Sequence, residues 1–395
     1  MIERNRSSGM TPRQRILAAL NHQMGDCLTW APYFRTWWIA HQFAEEIPDF
    51  FKDAETYLDA FAPLGLSILD KGAAAICPVY ENTEIVVENQ PDGMVKTRYI
   101  TPVGEIYSIQ QPTSAYDHTT YKVSYEFKSM NDYPAMMYLL EHFHYEPVYG
   151  DYLSKQESIG DAGQYMSEGP ISPLSQFFVN IIGYETASYL LHDYPQEMDR
   201  MLGVMMEKNM EGLRLAAASP AAPVILTPGP TNADFESPKL FCKYSLPYLK
   251  KASEVLHASG KVHVAHMCGK LKALLPLIAQ ADLDGIESLT PPPFADTYLW
   301  EARQALPGVC IIGGVSPHLL VGEWSREQIE SYILTLFEKM APGDNFILSV
   351  SDDTPANAYI NRFLWISELV QKHGLLPLKS SEEQENRSAL NHGLE

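Results

Sequence analysis

A single (β/α)8 barrel is the fold this sequence predicts, and three observations predict it. Apolar runs of strand length recur eight times, each followed by helical apolar spacing, which is the rhythm of parallel βα units. The chain has 395 residues and is 46% hydrophobic, enough to bury one large core or two modest ones. No Gly-x-Gly-x-x-Gly follows an early run, which disfavours the dinucleotide-binding form of the rival doubly wound sheet.

The predicted strands are Leu28 to Phe34, Leu64 to Leu69, Gln164 to Ser167, Val224 to Pro228, Val262 to Cys268, Gly285 to Leu289, Val309 to Gly313 and Asn345 to Val350. The last five have the clearest rhythm. Ser237 to Ala258 reads as a helix, with Ser237 as N-cap and Pro238 in the first turn. Asp296 to Ala305, Ser325 to Met340 and Pro355 to His373 carry the same spacing, and Gly374 with Pro377 suits a stop. One segment breaks the pattern. Glu84 to Tyr99 reads as a hairpin around Pro91-Asp92-Gly93, with a further strand within Thr101 to Gln110, so an antiparallel insertion is predicted near residues 77–127. The expected organisation is a flexible N-terminus over 1–10, the barrel over 11–378, and a disordered polar tail over 379–395.

A formal net charge of −20 argues against nucleic acid and against an anionic membrane surface. There is no run of about 18 apolar residues to span a bilayer. The first residues, Met1 to Gly9, lack the apolar core of a signal peptide. Five scattered cysteines, at 27, 77, 242, 268 and 310, do not form a disulfide framework, and a reducing cytoplasm is the expected location.

The richest stretch for chemistry is Val262 to Gly269. Alternation along a strand puts Val262, Val264, His266 and Cys268 on one face. An imidazole and a thiol two residues apart at a strand end can reach one ion, and that pair suits zinc. In a barrel the strand C-termini carry the chemistry. A further ligand is available from Glu287 or from Asp352 and Asp353. The competing readings are a hydrogen-bonded core histidine beside a small apolar cysteine, a Glu287 that only orients His266, and aspartates that cap the last helix. The aromatic cluster Trp30, Tyr33, Phe34, Trp37 and Trp38, with Arg35 and His41, is either a pocket wall or helix packing. Three segments are placed as ligand-contacting βα loops: Thr227 to Asp234, which holds Asn232 and Asp234, Gly169 to Leu174, and Gly313 to Pro317.

These landmarks resemble the uroporphyrinogen decarboxylase superfamily. Thr11-Pro12-Arg13-Gln14-Arg15-Ile16-Leu17-Ala18-Ala19-Leu20 is similar to its first helix, and Ser237 to Phe241 with Leu246-Pro247-Tyr248 to its middle helix. His266-Met267-Cys268-Gly269, Glu287-Ser288-Leu289 and Thr354-Pro355 follow in the family's order. The resemblance covers roughly residues 10 to 375 and implies one barrel with its pocket at the strand C-termini. The decarboxylase signature Met-Arg-Gln-Ala-Gly-Arg is absent. Ala31 to Trp38 stands there with one arginine, Arg35, too few cations for a polycarboxylate.

The resemblance therefore points to the corrinoid-linked zinc methyltransferases of the superfamily. His266 and Cys268 match two of their zinc ligands. Where their distant cysteine falls, this chain has Ser349-Val350-Ser351-Asp352-Asp353. Asp352 is the preferred replacement, with Glu287 the other candidate. The implied activity moves a methyl group between a small substrate (a methoxylated aromatic, as in an O-demethylase, a methylamine or a thiol) and methylcobalamin carried by a separate corrinoid protein. No Asp-x-His-x-x-Gly run supplies a corrinoid domain within this chain. The residues assigned to catalysis are Glu287 and Asp234, those to substrate binding are Tyr33, Arg35, Trp37, Tyr165 and Asn232, and those to metal are His266, Cys268 and Asp352. Two alternatives are a metal-free decarboxylase built on Asp234, Arg35 and Tyr165, and a non-catalytic barrel that binds a corrinoid or tetrapyrrole.

Overall fold

The computed structural model describes residues 9–91, 93–113, 120–220 and 222–379. Eight strands form one parallel sheet: β1 (Thr29–Trp30), β2 (Ile68–Ala74), β3 (Gly163–Glu168), β4 (Val224–Thr227), β5 (Val262–His266), β6 (Gly285–Leu289), β7 (Cys310–Val315) and β8 (Phe346–Val350). Their spatial order is 1-8-7-6-5-4-3-2. The Ser67 amide at the start of β2 donates to the Trp30 carbonyl of β1 at 2.9 Å, which brings the two edges together as in a barrel. The predicted (β/α)8 architecture is therefore the observed one.

Alternation decides what fills this sheet. Leu69, Met166, Val224, Leu226, Val262, Val264, Cys310, Ile312 and Ile347 form one buried apolar cluster. They come from alternate positions on neighbouring strands, so this cluster is the barrel interior. Burial pushes the Cys310 thiol pKa up, as suits a core cysteine. The helix α1 (Pro12–Leu20) starts with a capping box made by Thr11 and Gln14. Its Ile16, Ala19 and Leu20 belong to the same interior cluster. A Cβ placed on Gly285 at the start of β6 would lie 3.3 Å from Leu20 Cδ2. The helix thus stoppers the N-terminal end of the barrel.

Several boundaries differ from the sequence reading. β1 is two residues long, because Phe34 already caps the helix Arg35–Ala44. β2 starts at Ile68 and continues through Asp70 and Lys71 to Ala74, so charged residues hide its strand character. β5 stops at His266, and Cys268 lies in the loop beyond it. The last helix begins at Asn361, not Pro355. Elsewhere local signals hold: Ser325 and Gln328 make a capping box for the helix Arg326–Lys339.

The insertion is longer than 77–127. Ile76–Tyr80 pairs antiparallel with Phe143–Pro147, and between them lies a four-stranded meander, Glu84–Asn89, Val95–Thr101, Gly104–Pro112 and Thr120–Ser124. The helix Tyr133–Glu141 fills a second apolar core with Ile106, Phe177, Phe178 and Met201. Asp92 of the predicted turn, residues 1–8 of the N-terminal segment and residues 380–395 of the tail lie outside the described residues. Met10 is tied down, its amide donating to Asp26 at 2.9 Å. No helix among the described residues is long and apolar enough to cross a membrane.

Candidate metal and catalytic site

Above the apolar layers the interior turns charged. On β5 the inward series Val262, Val264 ends in His266, and on β6 Gly285 is followed by Glu287. On β3 Met166 is followed by Glu168, and on β2 Leu69 by Lys71. Parallel register sets His266 beside Glu287. The His266 Nδ1–H donates to Glu287 Oε2 at 2.6 Å, which leaves Nε2 to face Cys268 and Asp352. Lys71 Nζ reaches Glu287 Oε1 at 2.7 Å, and Ser288 Oγ donates to that oxygen at 2.8 Å. The Tyr33 ring lies 5.1 Å from Lys71 Nζ, a cation–π contact.

His266, Cys268 and Asp352 each offer one ligand atom, and these atoms lie within 4.8 Å of one another. The His266 Nε2 to Asp352 Oδ1 distance is 4.0 Å. Two backbone features deliver this arrangement. Gly269 lets the loop after β5 close onto the loop after β4: a Cβ there would sit 2.5 Å from the Thr231 carbonyl oxygen, to which the Gly269 amide donates at 3.1 Å. Asp352 and Ser288 both take positive φ, 80° and 70°. Non-glycine residues rarely adopt that region, and such strain clusters at functional sites.

Charge fits geometry. Burial works against ionisation of Glu287, but Lys71 and His266 outweigh it and hold the carboxyl well below the usual range. Burial works against a charged His266, and Glu287 with Cys268 overcomes that, pushing its pKa up to about 10. Glu168 and Asp353 respond to burial in the other direction, Asp353 rising to about 6. Asp353 accepts from Thr36 Oγ1 and from the Thr354 amide. It does not cap the last helix.

A nitrogen, a sulfur and an oxygen donor converge, and the histidine's second nitrogen is fixed by a buried carboxylate. This donor chemistry fits zinc, for which carboxylate–histidine orientation is usual. Of the other residues assigned from sequence, Arg35 faces the buried Asp70 at 3.7 Å. Burial, opposed by Arg35, pushes that carboxyl up to about 6. Trp37 is 1% exposed, and its indole N–H donates to the Ala358 carbonyl, so the packing reading describes it. Tyr165 is fully buried, its hydroxyl bound to the Lys71 carbonyl. The Asn232 side-chain oxygen accepts from the Asp234 and Lys270 amides, and Asp234 pairs with Lys270 at 2.9 Å on the exposed rim. Lys71 and Glu168 went unassigned. Period-two alternation from Leu69 and Met166 carries the signal for both.

Residues 168–373 match the family model described as Uroporphyrinogen decarboxylase (URO-D), just over half of the chain. The chain belongs to the uroporphyrinogen decarboxylase family. The matched span includes Glu168, His266, Cys268, Glu287 and Asp352. No curated protein matches the chain in sequence. Among solved structures, a methyltransferase from Methanosarcina mazei is similar, with a TM-score of 0.59 and 12% identity. That likeness covers 92% of this chain and 99% of the other. At such identity it shows a shared fold.

Proposed function

We propose that this member of the uroporphyrinogen decarboxylase family is a zinc-dependent methyltransferase that exchanges a methyl group with a separate corrinoid protein. One observation carries the reading: His266, Cys268 and Asp352 bring three ligand atoms within 4.8 Å of one another at the strand C-termini, where barrel enzymes do their chemistry. These three residues would hold the ion. When bound, zinc supplies Lewis-acid stabilisation of a substrate thiolate, or polarisation of a C–O or C–N bond. The protein's own part is orientation and charge. Glu287 keeps a ring proton of His266 on Nδ1, Cys268 would bind the ion as its thiolate, and Lys71 offsets the Glu287 charge. The structural kinship with the Methanosarcina methyltransferase is consistent with this reading. The groups a metal-free decarboxylase would rest on do not converge in the same way, since Asp234 is bound to Lys270 on the rim and Tyr165 is enclosed.

Metal analysis of protein purified without chelator tests the proposal. Stoichiometric zinc that is lost in Cys268→Ala supports it. A folded wild-type protein that takes up no zinc overturns it. A cob(I)alamin protein should then show methyl-dependent spectral changes with the methylated substrate.

A further inference from the structure

We propose that Lys71 is a positioning residue that holds Glu287 off the metal, so that the His266, Cys268 and Asp352 site keeps an open coordination position for substrate. This rests on the metal reading of those three residues. Glu287 is a further donor at the edge of the site, hydrogen-bonded to His266. As a fourth protein ligand it would close the shell, as in structural zinc sites, whereas reactive sites keep a position free. The structure accounts for both of its oxygens. His266 takes Oε2, while Lys71 Nζ at 2.7 Å and Ser288 Oγ at 2.8 Å take Oε1. Ser288 can do so because the β6–β7 register shifts between Glu287 and Leu289 and its own φ is positive.

The placement of Lys71 explains why a lysine is tolerated there. In the strand order, β2 and β6 are four steps apart in either direction. The ammonium therefore crosses the barrel to meet Glu287 from the opposite wall, with side-chain exposures of 15% and 7% for the two partners. A buried ion pair of this kind adds little net stability compared with apolar residues, yet removing one partner leaves the other uncompensated. Without the ammonium, the Glu287 charge would turn to the strongest remaining cation, the metal. Lys71 thus acts on substrate access through Glu287 and touches neither the ion nor the substrate.

Cobalt(II) is the probe, read by its visible and thiolate charge-transfer absorption, and 2-mercaptoethanol is the incoming ligand. Wild type and Lys71→Arg should bind cobalt and change spectrum as the thiol is added. Lys71→Met should bind cobalt but respond to the thiol about 10-fold more weakly or worse, the scale on which changes around a metal's ligands act. Lys71→Met combined with Glu287→Gln, loaded at a cobalt concentration shown to saturate its weaker site, should recover the thiol response, because the amide is a poor competitor. If Lys71→Met does not fold, Lys71→Gln takes its place, keeping a polar group without the charge. A thiol titration of Lys71→Met that matches wild type overturns the proposal, as does a double variant that fails to recover. Cobalt bound with an unchanged spectrum in Cys268→Ala, or not bound by wild type, overturns the metal reading itself.

Discussion

His263 and His266 lie three residues apart on β5 and point to opposite faces. His263 looks outward into the layer beneath the helices. Its Nε2 receives the Thr227 hydroxyl at 3.0 Å, and its Nδ1–H meets Ser253 Oγ at 2.8 Å. Ser253 passes its own proton to the Ala281 carbonyl, which fixes the tautomer. Burial pushes the His263 pKa down to about 3, so the ring stays neutral. His266 looks inward and meets a carboxylate, and its pKa moves the other way. The imidazole is the same in both places, but His263 is fully buried while His266 keeps 14% of its side chain exposed. Two hydroxyls make the ring a satisfied core residue, whereas Glu287 makes it an oriented donor whose second nitrogen faces Cys268 and Asp352.

Removing the partner that distinguishes the two rings should have the largest effect. Glu287→Gln is expected to weaken zinc binding about 10- to 100-fold, measured by competition with a chromophoric chelator, and unchanged affinity would erase the distinction. The next effect is on pH dependence, and its sign differs between the rings. For His263, with a folded value of about 3 against about 6.5 unfolded, the stabilising contribution is fully present above about pH 6.5. It is lost as pH falls through about 3, at up to about 1.4 kcal/mol per pH unit. For His266 in the metal-free chain, raised to about 10, the contribution is fully present below about pH 6.5 and is lost as pH rises through about 10. Denaturant unfolding across pH should show both slopes. His263→Gln should flatten the acid side alone and His266→Gln the alkaline side alone; a swap of the two would refute the assignment.

A smaller effect is expected at the hydroxyl partner. Ser253→Ala leaves the buried His263 Nδ1–H unpaired and should cost about 1–3 kcal/mol in unfolding free energy with zinc affinity unchanged. Smallest is Asp234→Asn, which breaks the exposed pair with Lys270. No measurable change in stability is expected for so exposed a pair, and both histidines should titrate as before by NMR.

Much of the barrel was readable from residues because β4 to β8 are built from apolar runs with little charge inside them. His266 and Cys268 were readable because a strand that ends in polar residues announces its mouth end. β2 was readable only at its start, within the predicted Leu64 to Leu69, for the reason that makes it important: Asp70 and Lys71 interrupt the apolar pattern of Ile68 to Ala74, and a strand that carries chemistry in its middle looks like a loop. The aromatic cluster after β1 illustrates the opposite failure. Its position after the first strand left Trp37 open between a pocket wall and helix packing, and three-dimensional packing against Phe34, His41 and Phe51 favours the second. Asp352 reaches the site through a positive φ that no side-chain pattern encodes. The length of the insertion was hidden because its last strand, Phe143–Pro147, is separated from the meander by a helix.

The stopper formed by α1 has a kinetic consequence. With Ile16 and Leu20 sealing one end of the cylinder, whatever reacts at His266 comes in and goes out by the same door. Under the proposed methyl exchange, the substrate and the corrinoid protein would share that doorway and take turns at it, an alternating, hand-over order of events.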